Sequence, residues 1–171
     1  MKTALCMLAC LLTVWPAFSE EAESTLVKVG DAAPSFTVTT TEGSEVSTDK
    51  LKGKVILVNF FATWCGPCLS ELPHLETEIW RKLKERGLAV VVIGREHNNE
   101  ELATFKASKK FTFPIAADPK REVYGKYATQ YIPRNFVVGR DGKVIYQSVG
   151  FDQAEFKQMI AKIEAELLKV E

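Results

Sequence analysis

Val55-Ile-Leu-Val-Asn-Phe-Phe61, running on through Ala62-Thr-Trp-Cys-Gly-Pro-Cys68, decides the fold. The first seven residues are apolar on both faces except at Asn59, which predicts a central, buried strand. From Cys65 to about Arg86 the pattern turns helical, with Leu69, Leu72, Leu75, Ile79 and Leu83 on one broad face. The strand therefore delivers a C-x-x-C pair to the start of a helix. There, unpaired N–H groups and the helix dipole favour a negative sulfur on Cys65. Such positions lower a thiol pKa into roughly 3.5–7.5 from about 8.5. Cys65 is the expected nucleophile, and Cys68 lies where it can attack a mixed disulfide formed by Cys65. Gly66 is expected to allow close backbone approach, while Pro67 fixes φ between the sulfurs. Pro73 lies deeper, removes a ladder hydrogen bond and predicts a kink.

Outward from this centre the elements alternate. Phe36–Thr40 and Glu45–Thr48 flank Glu42-Gly43-Ser44 as an N-terminal β-hairpin. Gly87 ends the long helix, and Leu88–Ile93 is a second buried strand. Glu100–Lys110 reads as a helix, Phe113–Ala116 as a short strand and Arg121–Tyr127 as a short helix. Phe136–Val138 and Val144–Tyr146 flank Asp141-Gly142, a strong hairpin signal. Asp152 and Glu155 are spaced as a capping box for a last helix with an apolar stripe of Phe156, Met159, Ile160, Ile163 and Leu167. Its Lys162, Glu164, Glu166 and Lys169 are expected on a solvated face. The order implies an α/β fold: a mixed sheet with helices on both faces.

The chain has 171 residues, enough for one ordinary domain. Lys and Arg number 22 against 22 Asp and Glu, so no bulk charge attracts nucleic acid or an anionic membrane. Met1-Lys2, the uncharged and largely apolar run 3–18, and Ala17-Phe18-Ser19 before Glu20 have the form of a secretory signal peptide over residues 1–19. The apolar run is short for a spanning helix, which needs about 20 residues, although an uncleaved membrane anchor is the alternative. Residues 20–27 read as a flexible tail and 28–171 as the folded domain. Of the four cysteines, Cys6 and Cys10 then leave with the signal, and Cys65 and Cys68 face an oxidising compartment.

Two other readings of the pair stand beside the redox one. A zinc site would have to recruit His74 and His97 at spacings unlike the usual ligand pattern. An inert disulfide gains little, because closing so short a loop removes little chain entropy.

Strand–Trp64-Cys-Gly-Pro-Cys68–helix resembles the thioredoxin active site. Val29–Phe36, Leu51–Pro73, Ile132-Pro133, Phe136–Val138 and Asp141-Gly-Lys143 resemble, in order, the exported TlpA/ResA-like branch of the thioredoxin superfamily. The resemblance spans about residues 27–168. It implies a three-layer thioredoxin-like fold carrying a helix–strand insertion around 96–114. It implies a cis Pro133 facing the sulfurs and an Ile132 whose backbone receives an extended substrate. Arg134, where thioredoxins often have Thr, is expected to affect partner choice. Asn59 stands where thioredoxin has a buried, proton-accepting Asp, a task an amide cannot perform at neutral pH. Glu71 corresponds to a helix glutamate near the thiols of ResA-like proteins; the alternative is a solvated helix face. Trp64 is expected as a lid beside the sulfurs. Glu96 and His97 are expected in a solvated surface loop, the family's second glutamate in this region being differently spaced.

The implied activity is thiol–disulfide exchange on protein substrates, in the direction of reduction, with no metal and no organic cofactor. The resemblance further implies a periplasmic setting, a membrane electron donor of the CcdA/DsbD type, and apocytochrome c or oxidised exported proteins as substrates. A peroxiredoxin reading lacks its P-x-x-x-T/S-x-x-C signature, since Val58 and Ala62 occupy the first two key positions. A redox sensor or partner-binding module of the same fold is the non-enzyme alternative.

Overall fold

The computed structural model describes residues 23–169. The proposed signal segment and the first residues of the tail lie outside these. Seven strands and four principal helices follow in order: β1 (Thr37–Thr39), β2 (Glu45–Ser47), β3 (Val55–Phe61), α1 (Gly66–His74 and its continuation to residue 86), β4 (Leu88–Arg95), α2 (Asn99–Lys109), β5 (Ile115–Asp118), α3 (Tyr124–Tyr127), β6 (Arg134–Val138), β7 (Val144–Val149) and α4 (Gln153–Leu167). Strands β1 and β2 form the N-terminal hairpin; the other five form one mixed sheet in the order β5-β4-β3-β6-β7. Central β3 runs parallel to β4 and antiparallel to β6.

All of β3 is buried, and its alternation divides the core. Val55, Leu57 and Phe61 face Leu72, Leu75 and Ile79 of α1, Leu102 of α2, and Phe156, Met159 and Ile163 of α4. Ile56, Val58 and Phe60 face Phe36, Val38, Tyr124 and Tyr127 on the other side. The period of two in a strand puts these sets on opposite faces, and Asn59 falls on the α1 side. This is the expected three-layer arrangement. The helix–strand insertion is α2–β5, with β5 placed parallel to β4 at the sheet edge. It is held closely: a Cβ on Gly94 of β4 would lie 2.7 Å from both terminal methyls of Leu102.

The kink expected at Pro73 takes the form of a change in helix type. The α-helical turns give way to π-helix over Leu75–Trp80, just after the residue that cannot donate to the turn before it. Glu76 in this stretch is buried and accepts from the Thr112 hydroxyl (2.6 Å), the Thr112 N–H (2.8 Å) and Arg81 Nε (2.8 Å), fastening α1 to the start of β5. Gly87 ends the helix with φ 96°.

Four expectations need correction. Residues 24–27 are not loose: Ser24, Thr25 and Val27 are buried, and the Leu26 N–H donates to the Tyr127 carbonyl at 3.0 Å. Pro114 shifts the short strand to Ile115–Asp118, because proline has no N–H for the ladder. Asp152 caps α4 by accepting from the Ala154 and Glu155 N–H groups, whereas the reciprocal capping box is at Asn98 and Glu101. Glu166 is buried rather than solvated, accepting from Lys169 at 2.5 Å.

Candidate active site

The turn between β3 and α1 sets the site. The Cys65 N–H closes it onto the Ala62 carbonyl at 3.1 Å, and Cys65 enters the helix as its N-cap with extended backbone. Pro67 falls in the first turn, where its missing N–H costs nothing. Cys65 and Cys68 form a disulfide with Cα atoms 5.3 Å apart. Cys65 Sγ accepts from the Cys68 N–H at 3.3 Å, so the sulfur itself is the capping group. In the dithiol form that geometry stabilises a Cys65 thiolate, by an N–H donor and by the helix dipole. Cys65 keeps 6% of its surface exposed and Cys68 none, which makes Cys65 the sulfur that a partner reaches. Gly66 is exposed, and a Cβ there would meet nothing within 4 Å, so the close approach expected of it is not made within the chain.

The Ile132–Pro133 bond is cis, and the Ile132 carbonyl oxygen lies 3.7 Å from Cys65 Sγ. The loop is braced by the Tyr124 hydroxyl, which donates to the Tyr131 carbonyl at 2.7 Å. Trp64 is 63% exposed, with the Arg95 guanidinium 5.7 Å from its ring centre.

Arg134 does not reach that face. It is fully buried, and donates to the Gln130 carbonyl (2.8 Å), the Thr25 hydroxyl (2.7 Å) and the Ser24 hydroxyl (2.5 Å). The substrate contact expected of it is thus replaced by an internal tie between the N-terminal segment and the Pro133 loop.

Glu71 is buried on the same helix, three residues after Cys68. Its carboxylate accepts from Asn59 Nδ2 at 2.9 Å and from Asn135 Nδ2 at 2.5 Å. Asn59 and Asn135 are cross-strand partners in the β3–β6 pairing, and Asn59 Nδ2 also donates to Asn135 Oδ1 at 2.8 Å. Burial drives the Glu71 pKa up to about 7, with the two amides holding it from rising further. The solvated alternative for Glu71 is therefore overturned: the side chain is buried and hydrogen-bonded to the two amides.

Glu96 lies on the surface with φ 65°, 3.5 Å from Arg95. His97 departs from the expected surface loop, at 8% exposure. Its Nε2 accepts from the Thr63 N–H at 3.1 Å, and its Nδ1 lies 3.2 Å from Glu101 Oε2. His74 pairs instead with Glu78 at 2.6 Å, so the two histidines serve separate places.

Asn135 and His97 are the residues that sequence reasoning missed. Asn135 carried a signal, an amide inside an apolar strand like Asn59, but only the register sets one opposite the other.

Comparison with known proteins agrees with this geometry. The Redoxin family matches residues 28–167. Thiol-disulfide oxidoreductase ResA of Bacillus anthracis is 32% identical over 138 residues, which cover 81% of this chain and 78% of that protein. The solution structure of a putative protein disulfide isomerase from Bacteroides thetaiotaomicron is 34% identical, with a TM-score of 0.82 over 85% of this chain and 94% of its own. The crystal structure of a putative thiol:disulfide interchange protein DsbE from Chlorobium tepidum is 31% identical, with a TM-score of 0.72 over 82% of this chain and 99% of its own.

Proposed function

The chain belongs to the Redoxin family and is a thiol–disulfide oxidoreductase, and from that premise we propose that it works as an exported reductant of protein disulfides. The observation that carries the reading is Cys65 Sγ seated on the Cys68 N–H at the start of α1, 3.3 Å away, with Cys68 wholly buried behind it. The reduced Cys65 thiolate attacks one sulfur of a substrate disulfide. The other substrate sulfur leaves as a thiolate and takes a proton. Cys68, deprotonated, then attacks Cys65 Sγ, which releases the second substrate thiolate and closes the Cys65–Cys68 disulfide. Two electrons pass to the substrate in each cycle. Glu71 follows Cys68 by three residues along the same helix, and its pKa, pushed up to about 7, supports it as the group that takes that proton.

The Gly66-Pro67 pair is that of thioredoxin, which supports reduction over oxidation. The signal-like residues 1–19 support export to the periplasm, where a reductant needs a source of electrons; a membrane thiol–disulfide transporter of the CcdA/DsbD type fits that need. Disulfides of exported proteins, apocytochrome c among them, are the substrate class that the family resemblance supports. An extended substrate is received between Trp64 and the Ile132–Pro133 loop. Replacing Cys65 and Cys68 together by serine tests the activity: disulfide reduction is abolished while the circular dichroism spectrum is retained. Turnover that survives in the double variant contradicts it.

A further inference from the structure

We propose that His97 is a positioning residue for the redox site: its neutral ring, protonated on Nδ1, fixes the Thr63 backbone and through it the seat of Cys65 at the start of α1. The proposal rests on the oxidoreductase reading and adds a residue from outside the C-x-x-C segment.

The tautomer follows from the partners. A backbone N–H can only donate, so the Thr63 N–H at 3.1 Å requires a lone pair on Nε2. The ring proton then sits on Nδ1, directed at Glu101 Oε2 3.2 Å away. That carboxylate is itself fixed: the same oxygen accepts from the Asn98 N–H at 3.1 Å, while the Glu101 N–H donates to Asn98 Oδ1 at 2.9 Å. The capping box of α2 therefore orients the imidazole, and α2 is seated on β4 through Leu102 and Gly94. A chain of hydrogen bonds leads from the inserted helix to the turn before Cys65.

Thr63 is the point where that turn needs an outside partner. The Cys65 N–H bonds back to the Ala62 carbonyl at 3.1 Å, which leaves the half-buried Thr63 N–H outside the turn's own bond. His97 Nε2 supplies the acceptor, and the Thr63 hydroxyl lies 3.4 Å from the same nitrogen. A half-buried N–H that loses this acceptor loosens the turn and lets it rearrange. Trp64 and Cys65 follow directly, so such a rearrangement displaces both the exposed Trp64 ring and the sulfur that must sit on the Cys68 N–H. If the ring served only to fill space, an apolar side chain of similar size would replace it without effect.

The test compares wild type with His97→Gln, whose amide oxygen can take the place of Nε2, and His97→Leu, which fills space without accepting. The readouts are the alkylation rate of reduced Cys65 by iodoacetamide and the rate of disulfide reduction, with thermal unfolding as the control. His97→Gln is expected to stay within about two-fold of wild type and His97→Leu to fall about ten-fold in both rates. A folded His97→Leu at the wild-type rates overturns the proposal, as does a His97→Gln that falls as far as His97→Leu. Should His97→Leu not fold, 15N NMR of the wild-type ring decides: a proton on Nδ1 supports the proposal and a proton on Nε2 overturns it. Absence of disulfide reduction in wild type would instead count against the oxidoreductase reading, to which alkylation and tautomer are indifferent.

Discussion

Asn59 on β3 and Asn135 on β6 stand directly opposite each other, and both donate a side-chain N–H to the one buried carboxylate of Glu71. A central strand with a single polar residue thus acquires its use only through its neighbour. Two amides and a carboxyl make a site that holds a proton at about neutral pH, where a lone buried carboxyl would stay protonated higher still.

Asn135→Ala removes one of the two donors. Burial then acts with less opposition, and the Glu71 titration moves above its present value of about 7. The pH profile of disulfide reduction is expected to shift upward in the same sense, while Glu71→Gln erases the step. A profile unchanged in both variants would remove Glu71 from the proton path.

The same carboxyl makes stability depend on pH. Its folded-state pKa lies above the ordinary 4.5, so between about 4.5 and 7 the folded protein binds the extra proton. The corresponding stabilisation is fully present below 4.5 and lost as the pH rises through about 7. The loss is on the order of 3 kcal/mol. Urea unfolding of the oxidised protein at pH 5 and pH 8 is expected to differ less in Glu71→Gln than in wild type.

Glu76 has the opposite sign. Burial opposes its charge, but donors from Thr112, Arg81 and Phe113 prevail and hold the carboxyl below its ordinary range. Its contribution is present above the ordinary carboxylate pKa and disappears as the pH falls through the folded-state value. Glu76→Ala is expected to cost about 2–3 kcal/mol at pH 7 by urea unfolding, and less in acid.

Arg134→Met tests the internal tie. Loss of the bonds to Ser24, Thr25 and Gln130 is expected to destabilise by about 2–4 kcal/mol and to expose residues 24–27 to limited proteolysis. Retention of the wild-type digestion pattern would show that the segment is held by other contacts.

The elements around the C-x-x-C pair were legible because each rests on local rules. The run 55–61, apolar but for Asn59, reads as a doubly buried strand, and Leu72, Leu75, Ile79 and Leu83 fall on one helical face. The two cysteines declared their role for the same reason, since the N-terminus of a helix acts on whatever group sits there. What escaped depends on contacts distant in sequence. Glu71 owes its raised pKa to burial, moderated by the amide of Asn135, 64 residues away, and Arg134 donates to Ser24, 110 residues away. His97, polar and within a polar stretch, looked solvated until α2 folded back to aim it at Thr63. The capping boxes show the limit of motif reading: Asp152 had the spacing, but the reciprocal bonds form at Asn98, which shares it.

The equilibrium of the Cys65–Cys68 couple with glutathione, followed by Trp64 fluorescence or thiol trapping, tests the direction of the chemistry. A reductant is expected near the thioredoxin potential, about −270 mV, so that glutathione disulfide oxidises it readily. A potential near about −120 mV, typical of a dithiol that oxidises others, would contradict it.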